Sequence, residues 1–164
     1  MADLTPKPPS ASATEMVQVV LPNDANPLGY ILGGTVMHLV DIAGAIAAHR
    51  HTRSRVVTAA VDGLRFLHPI KVGDLIILRA RVNAAFRTSL EVQVDVFSEE
   101  ALTGAQRLTS HAYLTFVAVD ESGNRIPVPP LKLETEEDRR RFAAAEVRRA
   151  ERLRKREEEK RAAG

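Results

Sequence analysis

The chain has 164 residues and no cysteine, with 45% hydrophobic and 27% charged residues and a formal net charge of +2. That is room for one domain with its own core, and it excludes disulfides, thiolate catalysis and Cys-ligated metals. The two excess positive charges lie from Glu134 onward, where 11 Lys and Arg meet 9 Asp and Glu, so the body is neutral and no nucleic-acid partner is expected for it.

Residues 1–14 place Pro6, Pro8 and Pro9 among small residues and read as a flexible N-terminal arm, without the apolar run of a signal peptide. Residues 15–21 are rich in Val and read as a strand that Pro22 ends. A long loop of Asn, Asp, Pro and Gly follows and closes on Gly33-Gly34; a loop of this length inside a domain commonly carries function. Residues 35–48 are apolar around most of a helical circumference, which predicts a helix buried on nearly all sides. The run is too short and too polar at Asp41 to cross a bilayer, which takes roughly 20 apolar residues. A soluble cytoplasmic protein with no membrane partner is therefore expected.

Residues 56–66 are β-rich, and Gly63 within them predicts a bulge or a close backbone approach. Residues 75–85 read as a strand with Arg79 and Arg81 on one face and Ile76, Leu78, Ala80 and Val82 on the other. Arg87-Thr88 makes a short connection. Leu90, Val92, Val94 and Val96 then alternate with Glu91, Gln93 and Asp95, the pattern of a half-exposed antiparallel strand. Residues 108–119 form the last strand. Short links favour antiparallel neighbours. The elements thus predict an α+β fold in which an antiparallel sheet curls around one central helix, over residues 15–133. One sheet and one helix leave much apolar surface exposed, so at least a dimer is expected. Residues 134–164 start acidic and turn Arg-rich, which predicts a charged helical tail, solvated or bridging subunits.

The chain has no phosphate-binding loop, dinucleotide fingerprint, His-Glu-x-x-His run or Gly-x-Ser-x-Gly elbow. His49 and His51 are two apart and point different ways on a helix, so no metal site is expected there. Asp41 stands out: a carboxylate within a buried helix must be paired, protonated or employed. It is either a satisfied structural acid or a general base or nucleophile. Gly33-Gly34 open the same helix, where unpaired N–H groups can hold a developing oxyanion at about 3 kcal/mol per donor. Asp41 lies roughly 10 Å further along by the helical rise, a long reach for one reacting group unless a partner subunit supplies one half. Periodicity and spacing alone name no reaction.

Leu21-Pro22-Asn23-Asp24-Ala25-Asn26, Gly29, Gly33-Gly34-Thr35-Val36-Met37, Asp41-Ile42-Ala43-Gly44 and Ala47-Ala48-His49-Arg50-His51 together resemble the hotdog-fold acyl-CoA thioesterases, in the YciA-like and cytosolic (brain-type) acyl-CoA hydrolase branch. Val57-Thr58-Ala59-Ala60-Val61-Asp62, Val72-Gly73-Asp74, Thr88-Ser89, Leu102-Thr103-Gly104 and Phe116-Val117-Ala118-Val119-Asp120 extend the likeness. The resemblance implies the hotdog fold and hydrolysis of acyl-CoA to free acid and CoA, with CoA as part of the substrate and no cofactor. It implies a dimer with active sites at the subunit interface, commonly a trimer of dimers. It assigns Asp41 as general base or nucleophile, Asn26 as the group orienting water or thioester, and the Gly33-Gly34 backbone as the oxyanion site. Arg87, Thr88 and Ser89 fall near CoA, and Phe66, His68 and Pro69 near the pantetheine or acyl channel. Two other readings remain at this stage: a non-catalytic acyl-CoA-sensing module with the tail as a partner arm, and a dehydratase, which needs a His where this chain has Asp41.

Overall fold

The computed structural model describes residues 3–164; Met1 and Ala2, at the start of the expected arm, lie outside the described residues. Alternating side chains make the strands. β1 spans Thr14–Val19, β2 Arg55–Asp62, β3 Leu75–Ala85, β4 Ser89–Glu99 and β5 Gln106–Val119. They form one antiparallel sheet in the order β1-β3-β4-β5-β2. The inward set, including Leu78, Val92, Val94, Leu114 and Phe116, joins Val36, Leu39, Val40, Ala43 and Ala47 of helix α1 (Gly33–Thr52) in a single core. Gly44 lets α1 sit close to the sheet: a Cβ there would meet the Phe116 ring at 3.2 Å and Leu114 at 3.5 Å.

The antiparallel sheet wrapped on one helix agrees with the α+β expectation, and four details differ from the linear reading. First, β2 joins the sheet beside β5 rather than β3, so it is an edge strand. The long connection over residues 63–74 makes that crossing possible, where a two-residue hairpin could not. Second, β2 ends at Asp62, not Phe66. Gly63 has φ +69 and breaks the strand, while the bulge lies at Ala59, between Thr58 and Ala60.

Third, the polar face of β4 is not open to solvent. Helix α2 (Glu136–Ala163) lies across it, and Glu91 is only 2% exposed. Arg148 grips Glu91 through two bonds of 2.7 and 3.1 Å, Arg141 reaches Gln93 at 3.3 Å, and Arg81 of β3 pairs with Asp138 at 2.6 Å. The tail is thus an anchored helix over its first half and solvated only near its end. Its start is capped by Thr135, whose side chain accepts from the Asp138 amide. Burial of the Asp138 carboxyl favours its neutral form, but bonds from the Glu134 amide, Arg81 and Thr135 outweigh it and hold the group below the usual carboxylate value.

Fourth, the segment read as a flexible arm is held from Lys7 onward. Lys7 exchanges backbone bonds with Pro130 and Lys132. Ser12 is fully buried, and its hydroxyl accepts from the Val82 amide at 2.9 Å.

Candidate active site

α1 begins without a side-chain cap, so the first-turn amides of Gly33, Gly34 and Thr35 have no intrahelical acceptor. They point along the positive end of the helix. The Phe66 ring lies over Gly33, with ring carbons at 3.3 to 3.8 Å from where a Cβ would sit, whereas nothing lies within 4 Å of the equivalent point on Gly34. Phe66 thus walls one side of the glycine pair and leaves the other open.

Asp41 is exposed, which corrects the expectation of a helix buried on all sides. A face carrying Gly34, Met37, His38 and Asp41 points out of the single chain. The Asp41 carboxylate is nonetheless held: Thr58 Oγ1 of β2 donates to its Oδ1 at 2.7 Å. One oxygen is fixed and the other left free, the disposition needed to take a proton from water. Thr58 was not among the residues singled out from sequence. It stands inside the Val57–Asp62 motif, but that it meets α1 follows only from folding β2 back onto the sheet edge.

Asn26 Oδ1 accepts the amides of Leu28 at 3.0 Å and Tyr30 at 3.1 Å. This turn fixes the side chain and leaves its NH2 group as a donor. No hydrogen bond joins Asn26 to Asp41 within one chain among the described residues. Around these groups the surface is apolar: Leu28, Leu32, Met37, Val57, Val61, Phe66 and Leu67 are all substantially exposed.

The remaining sequence candidates divide. Arg87, Thr88 and Ser89 line a cleft of about 690 Å³ beneath α2, on the outer face of the sheet. Phe66 stands at the glycine pair. His68 and Pro69 are exposed in the connection after β2, and the structure does not gather them with Asp41. His49 and His51 diverge, the first bonded to the Ser54 carbonyl at 2.9 Å and the second, fully buried, to the Pro129 carbonyl at 2.7 Å. No cluster of three or more potential metal ligands occurs among the described residues, and no helix among them is long and apolar enough to cross a membrane.

Residues 28–105 match the thioesterase superfamily. An uncharacterized acyl-CoA thioester hydrolase of Bacillus subtilis, YkhA, is 40% identical over 119 residues, which is 73% of this chain and 69% of that protein. The chain belongs to the thioesterase superfamily. The human cytosolic acyl coenzyme A thioester hydrolase is 32% identical over 143 residues, 85% of this chain, but the match spans only 38% of that longer protein.

Solved structures of the superfamily agree over nearly the whole chain. A hexameric acyl-CoA thioesterase superposes with a TM-score of 0.88 at 41% identity, covering 92% of this chain and 97% of that one. An acyl-CoA hydrolase of Staphylococcus aureus, solved in complex with butyryl coenzyme A and coenzyme A, gives 0.84 at 33% identity, covering 96% and 99%. Three variants of that hydrolase, replacing one Asp, one Asn and one Thr by Ala, are also similar. The three replaced residues have the same spacing along the chain as Asn26, Asp41 and Thr58 here.

Proposed function

We propose that this thioesterase-superfamily chain hydrolyses acyl-CoA to a free acid and CoA, with Asp41 as general base. The observation that carries the mechanism is the 2.7 Å bond from Thr58 to Asp41. It orients a carboxylate whose second oxygen removes a proton from water as the water oxygen attacks the thioester carbonyl carbon. The tetrahedral oxyanion is held by the free amides at Gly33 and Gly34, each worth about 3 kcal/mol in such a role. Collapse breaks the C–S bond, releasing the acid, and CoA departs as its thiol with the proton. Water and the thioester suffice, so no resident cofactor takes part. The Asn26 NH2 group positions the water or the carbonyl.

The site is completed by a second copy. β2 is an edge strand with Val57 and Val61 exposed, and Met37 is exposed on the open face of α1. An apolar edge of this kind is a template for pairing. In this reading Asp41 and Thr58 of one subunit face Asn26 and the glycine pair of its partner, and dimers assemble further, as in the hexameric relative. Cytoplasmic location belongs to the same reading, supported by the cytosolic relative's name.

The test is steady-state hydrolysis of a chain-length panel of acyl-CoAs. Asp41→Ala and Asn26→Ala, folded by circular dichroism, are expected to lose about a hundredfold or more in kcat. A folded Asp41→Ala variant at full rate refutes the assignment. A single turnover in ¹⁸O-water is expected to label the product acid; an unlabelled first product instead makes Asp41 the nucleophile.

A further inference from the structure

The outer face of the sheet is only partly covered. α2 bonds to Arg81, Gln93 and Glu91, and past Arg81 the face runs on across β1, β3, β4 and β5. The strand register sets its side chains in rows. Glu15, Arg79, Asp95 and His111 are paired in turn across the four strands, and Val17, Ile77, Phe97 and Leu108 make the next row in the same way. Val17 is 50% and Leu108 40% exposed. A band of apolar surface therefore lies beside a row of alternating charge.

A charged row on a sheet is commonly just solvated, but this one is left open at its centre. Arg79 and Asp95 stand directly opposite each other on neighbouring strands, yet each is engaged elsewhere. Arg79 gives its Nε to Glu15 at 2.9 Å and lies 5.0 Å over the Phe97 ring, while Asp95 accepts from Gln93 through Oδ1 at 3.0 Å. Among the described residues the terminal guanidinium nitrogens of Arg79 and Oδ2 of Asp95 have no hydrogen-bond partner. A free charged donor and a free charged acceptor thus lie side by side, both facing outward.

The two rows are complementary to themselves. A twofold axis in the contact plane, parallel to the strands and between β3 and β4, exchanges the first and fourth members of each row and the second and third. Arg79 then faces Asp95 of the partner subunit, Glu15 faces the partner's His111, and Val17 and Ile77 face the partner's Leu108 and Phe97. Opposite charges meet twice at the centre, and apolar meets apolar beside them. Such self-matching is what an isologous contact requires. Sheets that meet this way pack face to face about 10 Å apart.

We propose that this uncovered outer face binds a second copy of the chain, through reciprocal Arg79–Asp95 pairs over the apolar row. The inference deepens the assembly described above by giving it a second surface: β2 edges make the dimer, and outer faces join dimers to one another. Its size fits that order. Four strands and three rows span roughly 400 Å² per copy at the usual sheet spacings, about half of what one partner gives to a standard interface. Between single chains such a contact is weak, but each dimer presents two of them, and a closed ring of dimers gains from both.

The test is the mass of the full chain in solution, read by sedimentation velocity. The wild type is expected to exceed a dimer. Arg79→Glu and Asp95→Arg, each folded by circular dichroism, are expected to fall to the dimer, because each sets like charges against one another across the contact. Arg79→Glu/Asp95→Arg is expected to regain the wild-type mass, since the exchange restores complementarity. The chain has no cysteine, so Val17→Cys/Leu108→Cys gives a second readout on a surface-exposed pair. A short bismaleimide is expected to join two chains of this variant on a denaturing gel, and to join none of Val17→Cys or Leu108→Cys alone. Single reversals that leave the mass unchanged overturn the proposal, as do a double exchange that fails to restore it and cross-linking by either single cysteine. A wild type that stops at the dimer, unmoved by the reversals, sinks this inference and leaves the β2-edge dimer standing. Reversals that take a wild-type dimer to monomers support this face and sink the β2-edge reading instead.

Discussion

Replacing Arg148 with Met removes the countercharge from Glu91, and the structure sets the size of the effect. Glu91 is 2% exposed and receives two bonds from Arg148, at 2.7 and 3.1 Å, and one from Asn83 at 3.1 Å. Burial penalises the charged guanidinium, but the paired carboxylate outweighs it and raises Arg148 above its usual pKa. Breaking a buried pair from one side typically costs 3–5 kcal/mol, roughly. The Arg148 side chain is 24% exposed and Asn83 stays on the carboxylate, so water and one donor soften the loss to about 3 kcal/mol. For a domain of this size that lowers Tm by about 6–12 °C. Thermal denaturation followed by circular dichroism, with urea titration alongside, reads it. Adding Glu91→Leu to Arg148→Met is expected to recover most of the loss, because no orphaned charge remains under α2. A single-variant cost under about 1 kcal/mol, the range of exposed pairs, refutes the view that α2 buries this pair.

Gly44→Ala is expected to destabilise by about 1–3 kcal/mol, since the new Cβ meets a Phe116 ring that is itself 1% exposed and has nowhere to move; a urea midpoint equal to wild type shows that α1 can shift off the sheet. Thr58→Val removes the donor to Asp41 and is expected to lower kcat about tenfold to a hundredfold with little change in KM, and an unaltered kcat in steady-state assays ends the positioning role. His51 supplies a pH dependence. Burial pulls its pKa below the usual histidine value, against the opposing bond to the Pro129 carbonyl. The unfolded chain therefore takes up this proton first as pH falls, and stability that is complete above about pH 6.5 declines below it. His51→Gln keeps a donor for Pro129 and is expected to start less stable but to lose less on acidification from about pH 7.5 to 5.5; matching slopes for the two proteins in urea titrations rule His51 out.

Much of the site was readable in linear order because the fold leaves local signatures. Gly33-Gly34 opening an apolar run marks a helix start with free amides, and the Asn, Asp, Pro and Gly before it mark a loop, in which the family resemblance picks out Asn26. Both are short-range effects. Thr58 was not readable as a partner of Asp41, since 17 residues and a change of element separate them. The polar alternation of β4 was read correctly as period two and wrongly as solvent-facing. Nothing within residues 89–99 says that a helix more than forty residues later will cover Glu91.

The sequence by itself determined the element types, the apolar faces of β3 and β4 and the family, because periodicity and motif spacing are properties of neighbours along the chain. Tertiary structure alone decided that β2 is the sheet's edge, that Asp41 is exposed and tethered to Thr58, and that the charged tail roofs a basic cleft. Each of these depends on contacts between segments far apart in sequence. Such contacts are selected by the burial of the whole chain at once, which no local pattern encodes.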